Sequence, residues 1–218
     1  MQSRTRKFKQ PKSGIYGSNS DIKSALDIKS TSNDQLSRVV KMVDKLGELD
    51  FSQKIGKNEL LHVLKREVSN IHVSEIMIAD SFLRADARYV PARYREELLK
   101  TSTKAFFTRI KNIQKDENDY RENLDVKKLE EFLKALKKQE ERADSRAELC
   151  FLNVAGLISI YATFILEEPI HAVGTPFPSG SKVKYKNGEY LCPVKDMQRK
   201  NPNALCRFCI SVQDRDAI

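Results

Sequence analysis

The chain has no tryptophan, and its 218 residues include only three histidines, four cysteines, eight glycines and seven prolines. Each shortage excludes a class. So little Gly and Pro rules out collagen-like and low-complexity chains. Four cysteines are too few for a disulfide scaffold at this length, so the compartment reads as reducing and cytoplasmic. Alternating β-branched runs are scarce, which with the missing tryptophan argues against an all-β sandwich. The basic N-terminus is followed by polar residues and no apolar stretch, so no secretory signal is expected. A Gly-rich phosphate loop, a GxSxG elbow and a dinucleotide fingerprint are all missing. His62 and His72 lie ten apart and form no HExxH pair, so both read as ordinary side chains. Nothing here recommends an enzyme.

What is present is a helical body with a basic start and a cysteine-bearing end. Hydrophobic residues make up 40% of the chain, enough to build a core. The net charge of +9 is uneven. Arg4, Arg6, Lys7, Lys9 and Lys12 give the first twelve residues +5, residues 171–218 carry +4, and the middle balances. The expected division is a flexible basic leader over 1–32, a helical bundle over 33–168, and a small Cys-containing module over 169–218 packed on it.

Helical periodicity begins with Leu36, Val39, Val40, Val43 and Leu46 behind a Ser32/Gln35 capping box. Asn58, Ser74, Asp125 and Asp144 are expected to cap later helices, and Pro91 to sit in the first turn of another. Residues 115–123 are charged and poor in apolar side chains, hence a loop. The longest apolar run, Cys150–Leu166, is bounded by Glu148 and by Glu167–Glu168. It falls short of the roughly 20 residues a membrane span needs, and its flanks are acidic. It reads as the central rod of the bundle, ended by Pro169, and no membrane partner is expected. Beyond it, Asn187–Gly188 between short alternating runs predicts a two-residue β-hairpin.

The sharpest chemistry is Cys206-Arg-Phe-Cys209 with Cys192 fourteen residues earlier. Two thiolates separated by two residues can bind one tetrahedral cation. The segment is poor in apolar residues and needs a staple, which a structural metal supplies. A fourth ligand is required. His171 is the first choice and Cys150 the runner-up. Three sulfurs and one imidazole suit zinc; four thiolates suit an iron–sulfur cluster as well. Glu168-Pro-Ile-His171 resembles half of a di-iron motif, but Pro169 breaks the helix and no second copy exists. Arg4, Arg6, Lys7, Lys9, Lys182, Lys184, Lys186 and Arg207 could together face a nucleic acid. The competing reading is that lysines on a small hairpin keep its edges soluble.

NVAGLISIYATF (153–164), PIHAVGTPFP (169–178) and CPVKDMQRKNPNALCRFCISVQ (192–213) resemble the C-terminal half of a protein family of methanogenic archaea. The N-terminal part is similar only in general pattern, through YVPARYRE (89–96). The resemblance implies a cytoplasmic archaeal protein whose signature is the 171–209 segment. It brings no catalytic residues, and an anaerobic setting permits an iron–sulfur cluster. The expectation is therefore a mainly α chain, a helical bundle with a metal-stapled C-terminal β-hairpin and loop module. Its expected role is non-catalytic: it presents a surface to a macromolecular partner, a protein or a nucleic acid. Nucleic-acid binding and iron–sulfur or redox chemistry are the alternatives.

Overall fold

The computed structural model describes Leu46 and residues 49–217. The basic leader, the capping box at Ser32 and all of the first expected helix except Leu46 lie outside the described residues.

Among the described residues five long helices build the body: α1 (Lys57–Ser69), α2 (Val73–Asp86), α3 (Ala92–Lys115), α4 (Val126–Glu140) and α5 (Arg146–Ile160). Their starts follow local chemistry. Asp125 caps α4 by accepting from the Lys128 amide at 3.0 Å, as expected. Ser145, rather than Asp144, caps α5 through the Glu148 amide at 3.1 Å. Asn58 caps nothing: its side chain donates to Asp119 and accepts from the Tyr120 amide, so it fastens the 116–123 loop. Ser74 lies inside α2, whose N-cap is His72; the His72 amide donates to the Glu75 carboxylate at 3.0 Å. Pro91 stands one residue ahead of α3.

α5 is the rod. Every residue from Leu149 to Ile160 is buried. Arg146–Ile165 is apolar and long enough to cross a membrane by composition, but 94% of its window is buried inside the protein. Aromatic rings fasten the bundle around it. Phe151 meets Phe82 of α2 at 5.2 Å and Phe106 of α3 at 6.0 Å between centroids.

The last turns of the rod depart from the sequence expectation. Tyr161–Ile165 forms a π-helical segment, with the Leu166 amide donating to the Tyr161 carbonyl at 3.0 Å. Such bulges are rare and recur at functional sites. Glu167, two residues before Pro169, takes φ +52° and turns the chain away.

The C-terminal module then doubles back. β1 (Lys184–Lys186) and β2 (Glu189–Cys192) form the antiparallel hairpin, with Tyr185 opposite Tyr190. Asn187 (φ +54°) and Gly188 (φ +83°) make the left-handed corner that the right-handed strand twist favours. A short helix, α6 (Lys195–Arg199), and a 3₁₀ turn (Leu205–Phe208) follow. β3 (Val212–Gln213) pairs parallel to β2, Leu191 opposite Val212. Neither α6 nor β3 is expected from the sequence, being too short for periodicity to register.

The module shares the core of the body. Leu205 is fully buried and Phe208 is 7% exposed, both within the same apolar cluster as the helices. Phe132 of α4 stacks between Phe164 (5.7 Å, edge-on) and Phe208 (5.5 Å). Three rings thus join a helix, the π segment and the turn that carries Cys206 and Cys209.

Candidate metal centre

Cys192 ends the central strand of the small sheet, Cys206 lies in the 3₁₀ turn and Cys209 follows it. His171 follows the reversal after the rod. These four side chains line one cavity of about 10 Å³, together with Lys195, Gln198 and Ser211. That volume is room for a single atom-sized occupant. All four cysteines are free thiols, so the CxxC pair is not a disulfide. Cys150 does not line the cavity; it is 1% exposed on α5, with Glu75 and Arg146 as its charged neighbours. It is a core residue of the rod, whereas His171 lines the cavity with the other three sulfurs.

The donors surround the cavity without converging. Among the described residues no three His, Cys, Asp or Glu side chains are set as ligands of one ion. Holding a cation therefore requires these side chains to turn inward. Two sulfurs are already offered hydrogen bonds. The Ile170 amide donates to Cys209 Sγ at 3.4 Å, and Ser211 Oγ stands 3.4 Å from the same sulfur. The Val194 amide faces Cys192.

Burial, then the neighbouring Cys209 and Cys192, pushes the Cys206 thiol up to about 12. Burial likewise raises Cys192. Burial lowers His171 to about 4, so its ring is neutral and can act as a ligand. Cys206 and Cys192, whose ionisation burial and the neighbouring thiols oppose, are groups that a bound cation can hold as thiolates.

The sequence missed two members of the site. Lys195, 3% exposed, sends Nζ under the CxxC turn and donates to the carbonyls of Cys206 (3.2 Å), Arg207 (3.1 Å) and Cys209 (2.5 Å). Burial lowers its pKa, while the surrounding thiols Cys209, Cys206 and Cys192 act in the opposite direction. Gln198 Oε1 is buried with no hydrogen-bond partner among the described residues, and its residue lines the same cavity. A buried acceptor without a partner is unfavourable.

The residues nominated for nucleic acid fare differently. Lys182 pairs with Glu97, Lys184 with Asp214 at 2.8 Å, and Lys186 with Asp216 at 3.8 Å. Arg207 lies over the Phe208 ring at 4.4 Å. The three hairpin lysines are thus matched by carboxylates, which weakens a basic patch there. Arg4, Arg6, Lys7 and Lys9 lie outside the described residues.

The comparisons with known proteins cover this same body. Residues 56–214 match a family described as an uncharacterized protein conserved in archaea (DUF2115). The chain belongs to this family. A UPF0305 protein of Methanothermobacter thermautotrophicus is 46% identical over 158 residues, 72% of this chain and 96% of that protein. A UPF0305 protein of Methanocaldococcus jannaschii is 31% identical over 154 residues, 70% of this chain and 93% of its own length. One of Methanopyrus kandleri is 31% identical over 134 residues, 61% of this chain and 93% of that protein. No solved structure matches. The DUF2115 region starts at Gly56, where the Gly56–Asn123 bridge opens the described body, and ends at Asp214. It takes in His171, Cys192, Lys195, Gln198, Cys206 and Cys209, and leaves out Arg4, Arg6, Lys7 and Lys9.

Proposed function

We propose that the protein is a non-catalytic module whose C-terminal segment is stapled by one zinc ion held by Cys192, Cys206, Cys209 and His171. The observation that carries this reading is that all four line one atom-sized cavity, which Gln198 also lines. Three sulfurs and an imidazole are a closed structural set for zinc, with no position left for substrate. Zinc with three thiolates and a neutral imidazole carries one net negative charge. The buried Lys195 ammonium beside it balances that charge, which explains why a lysine is tolerated there. An iron–sulfur cluster fits less well, because Cys150, the fourth thiol, stands apart. Structural zinc binding is worth about 10–16 kcal/mol coupled to folding of its site, ample to fix a module with little apolar content of its own. The stapled body then offers a fixed surface to a protein partner. Val73 and Met77, one turn apart on α2, are each 64% exposed.

Elemental analysis of the full chain, purified anaerobically, tests this. The expected result is one equivalent of zinc and no visible chromophore. Cys206→Ser should lose the ion and open residues 171–213 to protease, and Cys150→Ser should do neither. Zinc and iron both far below one equivalent, with a protease pattern unmoved by chelator, overturns the proposal. A visible iron–sulfur band transfers the site to the cluster.

A further inference from the structure

A second cavity lies between α3 and α5 under the 170–175 segment, with a volume of about 50 Å³. His171 is the wall it shares with the thiol cavity. Its lining is largely apolar, with Phe106 from α3 and Phe151 and Ala155 from α5. Ser159 continues the Phe151–Ala155 row at four-residue spacing, so its side chain faces the same space. It is 1% exposed, and its hydroxyl has no hydrogen-bond partner among the described residues.

A buried hydroxyl without a partner is unfavourable, and proteins answer it with a ligand or an ordered water. Volume and chemistry narrow the occupant. One water needs roughly 10–15 Å³ of such space, so this cavity has room for three or four non-hydrogen atoms. No Lys, Arg, Asp or Glu lines it, so an ion would enter without a counter-charge. A dry hydrocarbon would fill the apolar side and leave Ser159 unsatisfied.

We infer that this cavity is a binding site for one small neutral molecule of about four non-hydrogen atoms, apolar at one end and hydrogen-bonding at the other, as in a short alcohol or primary amide. The Ser159 hydroxyl holds the polar end, and Phe106 and Phe151 enclose the apolar end. The site requires no metal, and its anchor belongs to the rod rather than to the thiol cluster.

The test uses the full chain with acetamide and 2-propanol as probes, followed by saturation-transfer NMR up to about 100 mM, since so small a ligand cannot bind tighter than tens of micromolar. Saturable binding is expected, weakened about tenfold in Ser159→Ala through the lost hydrogen bond. Ala155→Leu should fill the space and abolish binding, with circular dichroism confirming the fold. If that variant fails to fold, Ser159→Ala decides alone. Three outcomes overturn the inference: no saturable binding of either probe, an unchanged dissociation constant in Ser159→Ala, or uptake of xenon with exclusion of both probes, which marks a dry void.

Discussion

Replacing Tyr161 by Phe removes one oxygen from a polar cluster built on the buried Asp116 carboxylate. Asp116, 7% exposed, accepts four hydrogen bonds. Its Oδ2 takes the hydroxyls of Tyr161 at 2.8 Å and Tyr120 at 2.9 Å, and its Oδ1 takes the Asn118 amide at 3.1 Å and side-chain nitrogen at 2.8 Å. The cluster ties the loop after α3 to the first residue of the π segment. A hydrogen bond to a buried charge contributes about 1.5–3 kcal/mol, so Tyr161→Phe should cost about 2 kcal/mol. Tyr120 is partly exposed and water can replace its contact, so Tyr120→Phe should cost about 1 kcal/mol. Asp116→Ala strands both phenols and the Asn118 donors together, for about 3–5 kcal/mol.

The pH dependence of this knot has a definite sign. Burial alone would raise the Asp116 pKa, but the bonds from Tyr161, Asn118 and Tyr120 outweigh it and hold the carboxyl below its ordinary 3.8. A depressed folded-state pKa contributes stability that is present above the unfolded value and lost as pH falls through the folded one. The gap between wild type and Asp116→Ala should therefore be full above about pH 5 and narrow below the usual carboxylate range. Urea unfolding followed by circular dichroism, with the slope unchanged between variants, reads these differences as shifts in midpoint. A Tyr161→Phe midpoint within error of wild type refutes the reasoning. So does an Asp116→Ala cost no larger than that of Tyr161→Phe, since the carboxylate would then not be the hub.

Two further substitutions probe how the module is held. Lys195→Met keeps the length of the stem but removes three donors from the Cys206, Arg207 and Cys209 carbonyls, so it should cost about 3–5 kcal/mol and make the CxxC turn protease-sensitive; limited proteolysis with mass spectrometry reads the cut site. Phe132→Ala takes away the ring between Phe164 and Phe208 and should cost about 3–5 kcal/mol, with body and module still melting in one transition because they share one apolar cluster. A separate, earlier melting of the module would show that Leu205 and Phe208 do not couple it to the helices.

The parts of the fold legible from sequence are those governed by local rules. Asp125 before an amphipathic stretch, the apolar rod of 150–165, and Asn187–Gly188 between strands each need only their neighbours to act. The failures are non-local. Asn58 has the chemistry of a cap, but a loop sixty residues away claims both of its side-chain groups. Tyr161, the first residue of the π segment, donates to Asp116, forty-five residues earlier, a contact that no periodicity encodes. The sequence shows the module as poor in apolar residues but not which of them enter the helical core, and Leu205 and Phe208 are only two side chains. Two side chains suffice when Phe132 and Phe164 are already in place to receive them.

Lys195 shows the same limit at the candidate site. In PVKDMQRK it reads as one cation among several, and Arg199 and Lys200 close by are indeed exposed. What distinguishes it is the return of the chain eleven to fourteen residues later, which aims three carbonyls at one point. Cysteines declare themselves because few residue types ligate metals and the spacing of a CxxC is short. A buried ammonium is defined by acceptors that the sequence scatters. The thiols and the ammonium are also one electrostatic unit. Removing the charge of Lys195 should weaken any cation site by leaving its net negative charge unbalanced, whereas Lys195→Arg keeps the charge but not the fit under the turn. If Lys195→Arg retains zinc and Lys195→Met does not, the charge is what the site requires; if both lose it, the three carbonyl contacts are.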